Sequence, residues 1–146
     1  DSVEPFLSFK DKYVFLLALT SNKGSADFQE KVLIGNSLKL FEEVIYESKR
    51  WSNNEKIMYV VGAKNTKEIE KVRKLVPESY ILIPGLGAQG GDLQKICSNG
   101  LDKNFKIIIN SSRSILYASS SDDFAKKAEL EAKKIQNEME LLINKL

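Results

Sequence analysis

Two segments that follow neighbouring apolar runs carry the residues best suited to chemistry in this sequence. The segment "PGLGAQGGD" spans residues 84–92, and "SSRS" spans residues 111–114 after the next run. Glycine allows positive φ angles and close backbone approach, so successive N–H groups from Gly85 onward can surround an anion. An arginine in the second segment can add a bidentate contact to that anion. Together the two segments predict a phosphate-binding site; the alternative is that the glycines only form a mobile turn.

Arg113 is the best candidate for the charged contact to this phosphate. The chain has 22 lysines and arginines, of which only Arg50, Arg73 and Arg113 are arginines. The first two lie in patterns typical of helix surfaces, whereas Arg113 directly follows an apolar run. A planar guanidinium matches the geometry of a phosphate better than an ammonium does. The alternative for Arg113 is a surface position beside a loop.

Polar residues also follow the first apolar run, and they are weaker candidates. Thr20, Ser21 and Asn22 can contact the uncharged part of a ligand, but such residues after a strand are often turn or cap residues. Lys23 and Asp92 are the ionisable residues of these segments with catalytic potential. We expect Asp92 to cap the helix that follows it.

Four apolar runs without strict alternation predict strands buried on both faces of a parallel sheet. The runs lie at residues 13–20, 57–63, 80–85 and 106–112. In parallel α/β folds, ligands bind at the carboxyl ends of the strands. The candidate residues all lie at that expected edge.

Amphipathic patterns predict four helices that alternate with the strands. The helices are expected at residues 37–51, 65–76, 91–100 and 121–146, and residues 27–37 are expected to form a long loop. This alternation fits either an open doubly wound sheet or part of a (β/α)8 barrel, which needs eight strands. The apolar face of the last helix, expected to pack on the core, comprises Phe124, Ala128, Ala132, Ile135, Met139, Leu142 and Leu146.

Composition excludes several classes of function for this chain. The 146 residues, 42% apolar with a net charge of +2, suit one globular domain and contain no dense basic block for nucleic acid. There is no histidine, so histidine-based catalysis and histidine metal ligands are excluded. Cys97 is the single cysteine, and we expect a buried, inert thiol. No apolar run spans a membrane and no signal peptide is evident, which predicts a cytoplasmic protein without a membrane partner.

Four sequence blocks in register resemble the C-terminal half of the orotidine 5'-phosphate decarboxylase family, closest to its longer bacterial-type subgroup. The blocks are "LALTSNKGS", "VVGAKNTKEIEKVRKLVP", "ILIPGLGAQGGDL" and "IINSSRSILYAS", and the resemblance covers nearly the whole chain. It implies strands 5–8 of a (β/α)8 barrel and a homodimer with active sites at the shared barrel mouths. It also implies decarboxylation of orotidine 5'-monophosphate (OMP) to uridine monophosphate (UMP) in pyrimidine biosynthesis, without a cofactor or metal.

The resemblance also implies roles for individual residues. Ser21 would hydrogen-bond the pyrimidine edge, and Pro84 would line the pocket near the ring. Gln89 would reach the phosphate from its glycine-rich loop. Ser112 would offer its backbone N–H, and Arg113 its guanidinium, to the same phosphate.

One departure from the family pattern bears on catalysis. The family's Asp-x-Lys-x-x-Asp motif has no match, since "DLQK" and "LDKNF" have the wrong spacing. We therefore assign no catalytic residue to this chain. We expect residues 1–146 to form a single-domain half-barrel fragment, whose N-terminal half-barrel supplies the catalytic lysine. The alternatives are another phosphate-binding barrel enzyme, such as a sugar-phosphate decarboxylase or epimerase, and a non-catalytic nucleotide-binding module with an open sheet.

Overall fold

The computed structural model of the protein describes residues 1–62, 66–86, 92–102 and 104–145, in which strands and helices alternate. The four strands are β1 (Val14–Leu19), β2 (Ile57–Val61), β3 (Ile81–Pro84) and β4 (Ile107–Asn110). The helices are α1 (Glu4–Leu7), α2 (Leu40–Ser48), α3 (Thr66–Leu75), α4 (Leu93–Gly100), α5 (Arg113–Leu116) and α6 (Phe124–Ile143). Short 3-10 turns cover Lys23–Asp27 and Asn54–Lys56.

The strands form one parallel sheet, as predicted, and the structure shows that their order is β1-β2-β3-β4. Each strand pairs with the next one along the chain. A doubly wound sheet reverses its strand order at a switch point, whereas successive strands of a barrel always step in one direction. The strand order therefore favours an arc of a barrel over an open doubly wound sheet.

The core lies on one face of this sheet, under a single layer of helices. In that layer α2 contacts β1 and α3, α3 contacts α4, and α4 contacts α6. Alternate residues of each strand point into the layer, as the two-residue period of a strand requires. The buried strand residues on this face include Ile57, Tyr59, Val61, Ile81, Ile83 and Ile107.

The opposite face of the sheet is apolar and only partly covered. On this face the side chains of Phe15, Leu17 and Ile108 are 45%, 55% and 37% exposed. In a (β/α)8 barrel this face points into the barrel interior, where side chains from all strands pack together. We call it the open face; it consists of Phe15, Leu17, Met58, Val60, Leu82 and Ile108.

The last helix differs from its prediction in where it begins and in how much of it packs. Helix α6 begins at Phe124, after the turn that residues 119–123 form, and the Phe124 side chain is 61% exposed. The prediction that Phe124 packs on the core is therefore wrong. Farther along the helix, Ile135, Met139 and Leu142 do pack against the core. Leu146 lies outside the described residues.

Several smaller expectations have clear outcomes. Within the expected loop at residues 27–37, Val32 forms an isolated antiparallel bridge with Lys39, which lies two residues after the end of that loop. Helices α1 and α5 were not predicted, because four residues are too short for a periodic pattern. Cys97 is buried as expected, and burial, with the charge of Glu138, raises the pKa of its thiol to about 11. Among the described helices, none is both long and apolar enough to cross a membrane.

Arg73 is buried, so its predicted place on a helix surface is wrong. Its guanidinium, on α3, donates to five backbone carbonyl oxygens near the amino ends of β3 and β4. These belong to Val76, Pro77, Ser79, Gly100 and Lys106. Carbonyls at helix ends carry partial negative charge, which stabilises a buried cation. Burial lowers the pKa of Arg73, while the charges of Asp102 and Glu78 act in the opposite direction.

We expect Arg73→Met to lower the free energy of unfolding by about 3 kcal/mol, because it leaves several buried carbonyls unpaired. Urea unfolding of the protein measures this loss. Arg50→Met is the matched control: the Arg50 side chain is 76% exposed and, among the described residues, pairs with Glu47 alone, so the substitution should change stability by less than about 0.5 kcal/mol. Equal effects of the two substitutions would contradict the role assigned to Arg73.

Candidate active site

Five of the six predicted binding residues lie at the carboxyl edge of the sheet, where backbone hydrogen bonds join neighbouring strand ends. Gly62 N donates to Leu19 O at 2.8 Å, which connects the ends of β1 and β2. Gly85 N donates to Asn110 O at 3.2 Å, which connects the ends of β3 and β4. Ser21, Pro84, Gly85, Ser112 and Arg113 all lie on or directly after these strand ends.

The segment after β1 is fixed by a side chain that the sequence analysis did not single out. The amide oxygen Oε1 of Gln29 accepts hydrogen bonds from Thr20 N at 2.8 Å and from Thr20 Oγ1 at 3.1 Å. Thr20 and the next residue, Ser21, are both half-buried. The half-buried Gln29 therefore fixes the position of Thr20, the first residue after β1.

Gly62 allows the end of β2 to pack directly against Ser21. A Cβ atom at residue 62 would lie 2.5 Å from Ser21 N and 2.7 Å from Ser21 Cβ. Such distances are far below van der Waals contact, so only glycine fits without a backbone shift. Ser21 is thus confined between Thr20, which Gln29 holds, and Gly62.

The segments after β3 and β4 are also joined. Ser111 Oγ lies 3.4 Å from Leu86 O and 2.6 Å from Ser114 Oγ. Gly85 has a φ angle of 95°, in the positive region that the glycine-rich motif predicted for its turn. These contacts bring the start of the glycine-rich segment next to the start of α5, as a shared phosphate site requires.

Arg113 is the first residue of α5, and its side chain is exposed next to exposed Ser112. Among the described residues, none forms an ion pair or hydrogen bond with the Arg113 guanidinium. The Ser112 side chain lies 3.3 Å from Asn110 Nδ2. The geometry leaves the charge of Arg113 available at the carboxyl edge of β4.

Other predicted residues have different outcomes. Gln89, together with Gly87, Gly90 and Gly91, lies outside the described residues. Asp92 caps α4 as expected: its carboxylate accepts from Lys95 N at 3.1 Å, and this bond lowers its pKa. Lys23 is exposed in a 3-10 turn.

Comparison with known proteins shows what this chain is similar to. No protein-family model matches the chain. A curated orotidine 5'-phosphate decarboxylase from Christiangramia forsetii is 49% identical over 146 residues, which are 100% of this chain and 53% of the relative. The solved structure of Leishmania donovani OMP decarboxylase is 32% identical with a TM-score of 0.75, covering 94% of this chain and 52% of that one. Leishmania donovani UMP synthase is 35% identical with a TM-score of 0.78, over 93% of this chain and 30% of that one.

The chain is homologous to orotidine 5'-phosphate decarboxylases. It spans about half the length of the curated relatives that it matches. Its four-stranded parallel sheet matches the C-terminal half of an orotidine 5'-phosphate decarboxylase barrel, which confirms the predicted fold class.

A network of charged side chains joins the segment after β1 to two helices of the layer. Lys39 Nζ lies 2.7 Å from Glu68 Oε1 and 3.7 Å from Glu30 Oε2, and Glu30 accepts from Ser25 Oγ at 2.8 Å. Burial opposes ionisation of Glu68, but the hydrogen bonds and charges of Lys39 and Lys71 outweigh it and lower its pKa. The network therefore connects the segment that carries Gln29 to the first turns of α2 and α3.

We expect Gly62→Ala to lower the free energy of unfolding by about 1–3 kcal/mol, because the new Cβ atom forces Ser21 to move. Gly24→Ala is the control, since among the described residues its Cβ would approach the Asn22 side chain, with Nδ2 at 3.1 Å, and the Asp27 side chain, both exposed and able to move. Urea unfolding of both variants measures the difference. Equal stability of the two variants would contradict the close packing of residue 62 on Ser21.

Proposed function

We propose that this chain forms the phosphate- and pyrimidine-binding half of an enzyme that decarboxylates OMP to UMP in pyrimidine biosynthesis. The observation that carries the proposal is the joined carboxyl edge of β3 and β4, where Arg113 has no ion-pair partner among the described residues. The names of the homologous proteins supply the reaction and its substrate.

Arg113 and the backbone N–H of Ser112 are proposed to bind the substrate phosphate. A guanidinium and a backbone donor together give a charged, directional contact to phosphate oxygens. Gly85 and Gln89, in the glycine-rich segment, are proposed to complete the site from the other side. The phosphate lies away from the bond that breaks, so its binding energy serves to position the substrate and exclude water.

The uncharged part of the nucleotide is proposed to bind along the remaining strand ends. Ser21, confined by Gly62, is proposed to hydrogen-bond the pyrimidine edge. Pro84 is the last residue of β3 and is half-buried, which suits a residue that lines the pocket near the ring. No cofactor or metal is required in the proposed reaction, in which a lysine ammonium protonates the carbanion left by the loss of carbon dioxide.

The catalytic lysine and carboxylates are proposed to lie on an N-terminal half-barrel that packs on the open face. That face presents Phe15, Leu17 and Ile108, which a barrel buries in its interior. The complete enzyme is proposed to form a homodimer through its barrel mouths. The free thiol of Cys97 suits the reducing cytoplasm, where we propose that the enzyme works.

A decarboxylase assay of the complete polypeptide that carries this sequence tests the proposal. We expect turnover of OMP by the complete polypeptide and none by residues 1–146 alone, since no catalytic lysine is assigned to them. UMP binding without turnover by the complete polypeptide would support the nucleotide-binding alternative. Binding of ribose 5-phosphate without UMP binding would support a sugar-phosphate enzyme.

We expect Arg113→Ala in the complete enzyme to lower kcat/KM for OMP by several orders of magnitude, because the phosphate loses its charged contact. Steady-state kinetics measure this effect. Arg50→Ala removes an exposed arginine in the segment between the end of α2 and the amino end of β2, away from the proposed site at the carboxyl edge, and should leave kcat/KM unchanged. A loss below tenfold for Arg113→Ala, about 1.4 kcal/mol, would contradict the phosphate-binding role.

A further inference from the structure

The structure assigns Gln29 as a positioning residue that holds Ser21 in place to read the pyrimidine base, an assignment that rests on the proposed function. Among the described residues, the Gln29 side chain is hydrogen-bonded to Thr20 and not to Ser112 or Arg113, and in this assignment it does not touch the substrate. It acts through Thr20, the residue between β1 and Ser21. Gln29 therefore affects recognition of the base and not of the phosphate.

The two hydrogen bonds from Thr20 determine the orientation of the Gln29 amide. A backbone N–H can only donate, so the group 2.8 Å from Thr20 N must be the Gln29 oxygen. The two lone pairs of that oxygen accept from the Thr20 N–H and from the Thr20 hydroxyl at once. Thr20 is the first residue after β1, and these two bonds fix its position, directly before Ser21.

Gln29 can hold Thr20 because its own backbone is anchored. The Gln29 carbonyl accepts from the N–H of Phe41, a fully buried residue in the first turn of α2. The adjacent Glu30 accepts from Ser25 Oγ and pairs with Lys39. The support for Thr20 thus comes from the helix layer.

Gly62 limits the position of Ser21 from the other side. A Cβ atom at residue 62 would lie 2.5 Å from Ser21 N, so the β2 end and Ser21 are in direct contact. With Thr20 held and residue 62 in contact, small displacements of the chain after β1 are transmitted directly to Ser21. Misplacement of a group by about 1 Å can cost a large factor in reaction rate, and we expect recognition of the base to be similarly sensitive.

The test compares UMP with ribose 5-phosphate, which has the same phosphate and sugar but no base. In the complete polypeptide, Gln29→Met keeps the length of the side chain and removes the amide acceptor. We expect the Kd for UMP to rise by about tenfold or more and the Kd for ribose 5-phosphate to change by less than about twofold. Isothermal titration calorimetry measures both constants. Gln136→Met, an exposed position on α6, is the matched control and should change neither.

A second measurement uses Thr20→Val, which removes the hydroxyl donor but keeps the backbone N–H. We expect a smaller rise in the Kd for UMP than with Gln29→Met. The double variant should bind UMP no more weakly than Gln29→Met alone, because Gln29 and Thr20 act as one unit. Additive effects of the two substitutions would overturn the assignment.

The remaining outcomes separate this assignment from the proposed function. Unchanged UMP affinity in Gln29→Met, beside weakened binding of both ligands in Arg113→Ala, would overturn the role of Gln29 alone. An equal loss for UMP and ribose 5-phosphate in Gln29→Met would show a general structural defect and would also overturn it. Absence of UMP binding by the unsubstituted polypeptide would overturn the proposed function and this assignment with it.

Discussion

Parallel pairing of four consecutive strands is the constraint on which the rest of the structure depends. Because every strand runs in the same direction and pairs with its successor, all four carboxyl ends meet at one edge. The same arrangement places the connecting helices in one layer. The apolar open face lies on the other side of the sheet from this layer. Proposed binding residues that are far apart in sequence, such as Ser21 and Arg113, are thereby brought to one edge of the sheet.

The arginines at the two edges of the sheet have opposite environments. At the amino ends of the strands, Arg73 is enclosed by backbone carbonyls and serves the fold. At the carboxyl ends, Arg113 is exposed and has no ion-pair partner among the described residues. A buried cation needs every donor satisfied, whereas a ligand-binding cation must keep its donors available until the ligand arrives.

The strands and the residues that follow them were predictable because they depend on local patterns. The apolar runs predicted the ends of strands β1 to β4 to within one or two residues. Asp92 was correctly predicted to cap a helix. Arg73 was misplaced because its acceptors come from three segments that only the tertiary structure brings together. Gln29 was missed for the same reason, since its partner Thr20 lies nine residues away in an irregular segment.

The role predicted for Gln89 stays a prediction, because that residue lies outside the described part of the chain. The specific roles of Ser21 and Ser112 are implied by the resemblance, whereas the phosphate contact of Arg113 was also predicted from its residue type and position. The structure places all three residues at one edge and leaves Arg113 without an ion-pair partner among the described residues, and their roles also stay predictions. Local sequence patterns identify such residues by type, but they carry no information on the side chains that hold them in position.

The buried thiol of Cys97 has a practical consequence for spectroscopy. At neutral pH a thiol with a pKa of about 11 is almost entirely protonated, and in the folded protein it is shielded from reagents. Within this chain, a cysteine introduced at an exposed residue such as Asn36 would therefore be labelled selectively by a fluorophore. The unreactive Cys97 therefore need not be replaced before a single fluorophore is attached to follow motion in the segment between β1 and α2.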